Sequence, residues 1–552
     1  MHRTTMRFSG GLPTTAWRKT ALAGLLLAFL ICTGCGDVFR PVANPLPGPV
    51  PDPKNFHFAI VASQNAPGNP GAGMQIDVSG DSTVGVVSAG ATGVNAPGQG
   101  PVHATLLSPS AGRVYIANGL DDSVSTFTPA NSLASIGTVT TISLPTGSDP
   151  VFVHSTESAN MYVANRCTTP GAPCGSPNVS VISTATNAVT NVVALPTGAV
   201  PSVLAETPNG QKLYSVNQSS VSSINTVDKT LGVTNNFPAP IWAVASLDST
   251  QVFILDQSSG VITAINTFSD QPVSTSQPAG AGANFLFLDR HLNRLYVTNP
   301  TTSRLLIYDA STANASVTPA VPPSLIATVP MPATAPNPVM VTALGDGTQA
   351  YVISNQATTT ALNWQVTAIR TSDNSVVNSG QPIATGNVDL TAINPGALAS
   401  CQSARFRTSI ASSVDSSKVY AAVCDAGTTY IIQTATNSCT DPFFLSCINL
   451  PAPVSAYTPV PTAVTITGVA VSGANATYSY TLTSGPPLLL GMSITISGMS
   501  NAGNNGSFAI SGVGSGSFTV ANATAVAASG QSGSGVVNQP PPQNPVWVVA
   551  GP

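Results

Sequence analysis

Two histidines and two glutamates of this 552-residue chain could support proton transfer or metal binding. His103 and His154 lie near the start of matching sequence segments, and each of these segments opens with proline. Glu157 and Glu206 occupy corresponding regions of two consecutive segments. A pair of imidazoles could ligate a metal or act as acid and base. Isolated histidines are more often structural or solvent-facing, so both interpretations stay open and the metal is unknown.

The sequence contains one further group of possible metal ligands and no familiar catalytic motif. Asp121 and Asp122, together with Asn118, could offer oxygen ligands to calcium, but a solvated turn explains them equally simply. No nucleophile elbow, zinc-binding H-E-x-x-H or phosphate-binding glycine loop occurs in a suitable context. The sequence therefore names no catalytic residue, and it predicts no cofactor.

The composition indicates which elements must position these side chains. Charged residues make up only 7% of the chain, whereas about 25% is usual. Amphipathic helices normally expose Glu and Lys, while Val and Thr suit a pleated sheet, and the 47 glycines and 47 prolines suit turns. An all-β fold is predicted.

Residues 1–34 resemble a bacterial lipoprotein signal peptide. Four basic residues precede the apolar run 21–31, which is too short to span a bilayer comfortably. Gly34 followed by Cys35 resembles a lipobox, which implies that a lipid is attached to Cys35; Cys32 departs from the usual pattern. An ordinary secretory signal with an incidental cysteine is the alternative.

A proline-rich tether is expected over residues 35–54, because six prolines in 38–54 favour an extended chain. Cleavage before Cys35 would leave 13 basic against 21 acidic residues. No basic stripe is present, so nucleic acid is not an expected partner.

Six further cysteines favour disulfides in an oxidising compartment. Two pairs bracket short loops, and the remaining two would then pair across neighbouring strands, although spacing alone does not establish this connectivity. The candidates are Cys167, Cys174, Cys401, Cys424, Cys439 and Cys447.

A repeated unit dominates the chain. An aromatic residue is followed three positions later by Asn or Asp in five units, with looser copies at Tyr351 and Tyr420. An apolar strand precedes each motif, a second follows it and a weaker one closes most units. The five pairs are Tyr115/Asn118, Tyr162/Asn165, Tyr214/Asn217, Phe253/Asp256 and Tyr296/Asn299.

Four strands per unit describe a blade of a β-propeller, whose blades pack face to face around an axis. The aromatic residue is expected between adjacent blades, and the Asn or Asp is expected to satisfy loop backbone groups. The proline-led strands would be innermost, so His103, His154, Glu157 and Glu206 would be near the channel.

"YVTN" at 296–299 and "YVAN" at 162–165 resemble the YVTN-type β-propeller repeat family. The resemblance covers about 100–450 and, more faintly, 55–97. It implies an extracytoplasmic binding or surface protein, and some related propellers resemble lactonases or quinoprotein dehydrogenases.

The chain is thus predicted to be an all-β protein with a seven- or eight-bladed propeller over 55–457. Residues 458–537 lack both the repeat motif and any charge, and they predict a small β-sandwich-like or barrel module inserted there. Residues 538–552 include a strand that could close the propeller by completing the first blade.

Two functions are compatible with this organisation. The first is a lipid-anchored, non-catalytic binding or scaffolding protein of the bacterial cell envelope, periplasmic or at the outer-membrane surface, with a protein or glycan partner. The alternative is an enzyme of the lactonase or quinoprotein type with its site in the central channel. Sparse charged residues favour the first, and fold alone does not decide.

Overall fold

The computed structural model describes the chain in segments. These are residues 57–64, 71–78, 82–89, 100–107, 113–129, 139–156, 159–168, 172–311, 322–358, 361–377, 382–389, 401, 405–437, 449–450, 462–484, 488, 493–514, 516–537 and 544–551.

The first four blades are antiparallel sheets, and in blades 2 to 4 the strands follow chain order. Blade 1 contains β1 (Phe58–Ser63), β2 (Gly71–Asp77) and β3 (Ser82–Ala89). Blade 2 contains β4 (Pro101–Leu106), β5 (Val114–Asn118), β6 (Ser123–Phe127) and β7 (Thr140–Ser143). Blade 3 contains β8 (Pro150–His154), β9 (Asn160–Asn165), β10 (Asn178–Ser183) and β11 (Ala188–Ala194). Blade 4 contains β12 (Pro201–Glu206), β13 (Lys212–Asn217), β14 (Ser220–Asn225) and β15 (Thr230–Asn236).

The next four blades repeat the arrangement. Blade 5 contains β16 (Pro240–Ala245), β17 (Gln251–Asp256), β18 (Val261–Asn266) and β19 (Gln271–Pro278). Blade 6 contains β20 (Phe285–Asp289), β21 (Arg294–Asn299), β22 (Arg304–Asp309) and β23 (Ser324–Pro330). Blade 7 contains β24 (Asn337–Ala343), β25 (Gln349–Ala357), β26 (Ala361–Arg370), β27 (Ser375–Val376) and β28 (Ile383–Asp389). Blade 8 contains β29 (Thr408–Ser412), β30 (Lys418–Val423), β31 (Thr428–Gln433) and β32 (Asn449–Leu450).

The C-terminal strand β39 (Pro545–Gly551) is the innermost strand of blade 1. It runs antiparallel to β1, with Val548 opposite Val61. The innermost strands β39, β4, β8, β12, β16, β20, β24 and β29 contact one another in turn and form a closed ring. The propeller therefore has eight blades, and strands from both ends of the chain complete the first one.

The module between β32 and β39 is a closed barrel rather than a sandwich. Its strands are β33 (Thr462–Ser472), β34 (Asn475–Ser484), β35 (Ser493–Ser497), β36 (Gly506–Gly514), β37 (Ser517–Ala521) and β38 (Ala528–Val537), with a 3-10 helix at Ala502–Asn504. They pair in the order β33-β34-β37-β36-β35-β38, and β38 closes the sheet by pairing with both β33 and β35. Tyr478 stacks on Phe518 in the interior, with ring centroids 5.2 Å apart.

The repeated tyrosines are buried between blades, as the repeat predicts. Tyr115 of blade 2 packs with Met161 and Val163 of blade 3. Tyr214 of blade 4 donates a hydrogen bond of 2.6 Å to Asp270, which lies in the turn between β18 and β19 of blade 5. Each tyrosine thus joins its own blade to the next.

The repeated Asn and Asp residues use two kinds of partner. Asn299 donates to the backbone carbonyls of Ala279 and Gly280, as predicted. Asn217 instead donates to the hydroxyls of Ser220 and Ser222, both at 3.1 Å. The third strand of blade 4 places two serine hydroxyls on one face at alternate positions, whereas β22 of blade 6 has Arg304 and Leu306 at the matching positions.

Replacing Tyr214 with Phe is expected to lower the free energy of unfolding by about 1.5–3 kcal/mol, because Asp270 is a charged acceptor. Asp270 is buried and also pairs with Lys212 at 2.6 Å, so the lost donor is not replaced by water. Chemical denaturation of the variant measures the change. The matched control is Tyr115→Phe, whose hydroxyl donates at 3.2 Å to the neutral amide of Asn187; its loss should cost about 0.5–1.5 kcal/mol. Equal costs would contradict the proposed role of the charge.

Two disulfides occur within the described residues. Cys167 bonds Cys174, and Cys401 bonds Cys424; the Cα atoms of each pair are 5.7 Å apart. Cys439 and Cys447 lie outside the described residues, as do Cys35, the predicted signal peptide and the tether. In the described ranges, no helix has the length and apolar character needed to cross a bilayer.

Candidate functional site

An aromatic cluster fills the axis of the propeller. His103 of β4 stacks on Phe152 of β8 with ring centroids 3.7 Å apart, and it contacts Trp547 of β39 at 4.3 Å. Further contacts of 4.5–6.1 Å link rings from other blades into one cluster. We call this set the aromatic plug: His103, Phe152, Trp242, Phe285, Phe406 and Trp547.

A recurrent bulge places most of these side chains at the axis. The pairing register between first and second strands shifts just after the opening proline, for example between Pro101 and His103 and between Pro240 and Trp242. The residue two positions after the proline therefore occupies the same place in successive blades. The opening proline is visible in the sequence two positions before Trp242 and Trp547, two residues that sequence reasoning missed.

His103 and His154 lie near each other, and both are close to Phe152. The ring centroids of His154 and Phe152 are 6.3 Å apart. Burial lowers the pKa of His103 well below its usual value, with smaller contributions from His154 and Arg405. Burial, followed by the charge of Arg290, lowers the pKa of His154 to about 4. Both imidazoles are therefore neutral at pH 7.

The described polar groups around the two histidines are engaged in packing and hydrogen bonding rather than gathered as metal ligands. The Nδ1 atom of His103 accepts a hydrogen bond from the backbone N–H of Val153 at 3.4 Å. Across the described part of the chain, no three His, Cys, Asp or Glu side chains converge as metal ligands would. His103 acts mainly as a flat packing group within the aromatic plug.

Glu206 links two blades. Its carboxylate is buried and accepts hydrogen bonds from the backbone N–H of Thr156 at 2.7 Å and from the Thr156 hydroxyl at 3.0 Å. These bonds join the end of β12 to the end of β8. Glu157 lies outside the described residues.

The proposed calcium ligands also have structural partners. The carboxylate of Asp122 accepts backbone hydrogen bonds from Gly147 at 2.7 Å and from Asp149 at 2.8 Å. Asp121 accepts a hydrogen bond of 2.8 Å from Ser123. Asp122 therefore holds the chain that enters blade 3.

A cavity of about 560 Å³ opens beside the aromatic plug, where the first strands begin. Blades 5 to 8 contribute its walls, and the long hairpin of β25 and β26 supplies one side. Apolar side chains alternate with amides and two guanidinium groups. The lining includes Trp242, Phe285, Met340, Leu362, Trp364 and Phe406, together with Gln257, Asn284, Asn355, Arg405 and Arg407.

Arg405 brings an uncompensated charge to this cavity. Its guanidinium carbon lies 4.8 Å from the centroid of the Phe406 ring. The described residues offer it no hydrogen-bond acceptor or carboxylate, whereas Arg407 pairs with Asp425 through contacts of 2.6 and 3.1 Å. Burial, with a smaller effect of Arg166, lowers the pKa of Arg405 to about 9. Arg405 therefore remains protonated at neutral pH.

The other polar groups of the cavity are mainly donors. The Oδ1 atom of Asn284 accepts a hydrogen bond from Thr298 at 2.6 Å, and that of Asn355 accepts one from Asn337 at 3.3 Å. Each amide therefore retains its N–H groups for a ligand. The Nε1–H group of Trp364 has no acceptor among the described residues, but its nitrogen is buried away from the cavity surface. The cavity thus combines Arg405, Arg407 with its Asp425 partner, and neutral amide donors.

The Cys401–Cys424 disulfide holds the segment that carries Arg405. The backbone N–H of Cys424 also donates to the carbonyl of Arg407 at 2.9 Å. Sequence reasoning treated these cysteines as structural and missed Arg405, Asn284 and Trp364. The available signal was the sequence Arg405-Phe406-Arg407, which stands where other blades open their first strand with proline.

Comparisons with known proteins give only distant structural similarities. No family model matches the chain, and no curated protein matches it. A periplasmic gluconolactonase of Pseudomonas aeruginosa is 14% identical, with 61% of this chain and 96% of that chain covered and a TM-score of 0.44. A putative 6-phosphogluconolactonase of Bacteroides fragilis is 12% identical, with coverage of 72% and 94% and a TM-score of 0.39. Apo AztD of Citrobacter koseri is 12% identical, with coverage of 69% and 93% and a TM-score of 0.45.

Proposed function

We propose that this protein binds a small organic anion in the cavity beside its aromatic plug. The observation that carries the proposal is the guanidinium of Arg405, which lines the cavity without a carboxylate partner among the described residues. A partly buried charge that lacks a counter-charge destabilises the folded protein. An anionic ligand would supply the missing charge, and the surrounding rings would pack against its apolar part.

The compartment proposed for this binding is extracytoplasmic. Two disulfides fit an oxidising environment, where such bonds persist. We also propose that a lipid on Cys35 attaches the protein to the membrane, and this part of the proposal rests on the lipobox-like sequence. Binding of a protein or glycan at the rim remains a prediction from the sequence, whereas the geometry favours a small molecule in the channel.

Hydrolysis of a lactone is a second candidate function. An enzyme of the lactonase type would need a site near the central channel, and the cavity lies beside the aromatic plug at the axis. The guanidinium of Arg405 could stabilise an oxyanion. Release of acid from added lactones measures this activity directly.

Thermal unfolding of the soluble region against small organic anions and their neutral amides tests the proposal. A ligand at about one hundred times its Kd stabilises the folded state by about 2.7 kcal/mol. We expect at least one anion to raise the Tm by several degrees and its amide to leave the Tm unchanged. If neutral compounds raised the Tm as much as anions did, the role assigned to Arg405 would be wrong.

A further inference from the structure

We propose that the ligand is an aromatic carboxylate, a flat unsaturated ring that bears a carboxylate group. This inference deepens the proposed function and rests on it. It assigns the carboxylate to Arg405 and the ring to the apolar wall of the cavity.

The donors of the cavity match the acceptors of a carboxylate. The guanidinium of Arg405 lines the cavity and has no carboxylate partner among the described residues. The side-chain amides of Asn284 and Asn355 line the same cavity and keep their N–H groups for a ligand. A carboxylate offers two oxygens with about four acceptor sites, and the planar guanidinium of Arg405 suits two of them.

Rings and other apolar side chains form much of the cavity wall, and two of its amide oxygens, those of Asn284 and Asn355, each already accept one hydrogen bond. A polyhydroxylated acid would bring several O–H donors against this wall, and each donor without an acceptor costs binding energy. A ring without hydroxyl groups avoids that cost.

The apolar wall suits a flat ring. Trp242 and Phe285 meet at 4.5 Å with their planes tilted by 53°, and the indole of Trp364 and the ring of Phe406 line the same cavity. Aromatic pairs prefer tilted or offset arrangements with centroids 4.5–7 Å apart, so a ligand ring could add to this set without a change of geometry. The guanidinium of Arg405 is already held over Phe406, which positions it for the carboxylate.

Isothermal titration calorimetry of the intact soluble region tests this assignment with named probes. Benzoate and indole-3-acetate represent aromatic carboxylates, gluconate and galacturonate represent sugar acids, and benzamide is the neutral analogue. We expect both aromatic carboxylates to bind at least about tenfold more tightly than gluconate, galacturonate and benzamide. Tighter binding of a sugar acid would overturn the aromatic assignment but leave the anion proposal standing. Binding of none of the four anions would overturn both.

Discussion

Removal of residues 544–552 is expected to unfold the propeller. This deletion takes away β39, the innermost strand of blade 1. Val546 and Val548 are buried, and Trp547 belongs to the aromatic plug. The backbone N–H of Val548 also donates to Ser409 of blade 8 at 2.7 Å. Each buried apolar side chain contributes about 1.5–3 kcal/mol, so the combined loss approaches the total stability of about 5–15 kcal/mol typical of proteins.

Circular dichroism melting and limited proteolysis would measure this effect. The control replaces residues 458–537 with a Gly-Ser linker and keeps β39; it should retain cooperative unfolding, because the barrel has a hydrophobic core of its own. A synthetic peptide of residues 544–552 should partly restore the truncated protein by adding the missing strand. A truncated protein that melts within a few degrees of the full one would show that β39 is not needed for closure.

Replacing Arg405 with Gln is expected to have opposite effects on binding and on stability. Removing one partner of a desolvated charge pair costs about 2–5 kcal/mol, so affinity for an organic anion should fall by about 30-fold or more. Without ligand, the free energy of unfolding should stay the same or rise, because the variant removes a guanidinium that has no carboxylate partner in the described structure. Calorimetry and denaturation measure the two quantities on the same preparation.

A surface arginine provides the matched control. Arg370 is about half exposed and forms a 3.2 Å pair with Asp373 on the outside of blade 7. Arg370→Gln should leave anion affinity unchanged and alter stability by less than about 1 kcal/mol. If Arg405→Gln instead lowered stability and left affinity unchanged, Arg405 would be a structural residue and the proposed binding site would be wrong.

The blade pattern was readable from the sequence because its causes are local. Alternation along each strand, proline at the first strand and the aromatic-to-Asn spacing depend on residues a few positions apart. Tyr115 and Tyr214 were therefore predicted correctly as contacts between blades. The count of eight required the pairing of β39 with β1, a contact between the two ends of the propeller.

The roles of Glu206 and His103 depend on residues that are close in space but distant in sequence. Glu206 binds Thr156 and His103 stacks on Phe152, and each partner lies about fifty positions away on the adjacent blade. A glutamate or histidine has the same chemistry in the sequence whether it meets a ligand or a protein group. Only the packing of one blade against the next decided that these two serve the structure.

The sequence by itself determined the all-β class, the repeated blade and the inserted uncharged segment, since each follows from composition and short-range periodicity. The tertiary structure alone decided where a ligand could bind. Asn284, Trp364 and Arg405 come from blade 6, blade 7 and the entry to blade 8, and ring closure brings them around one cavity. The spacing of residues along the chain does not reveal that these three side chains share a cavity, because their proximity depends on how whole blades pack around the axis.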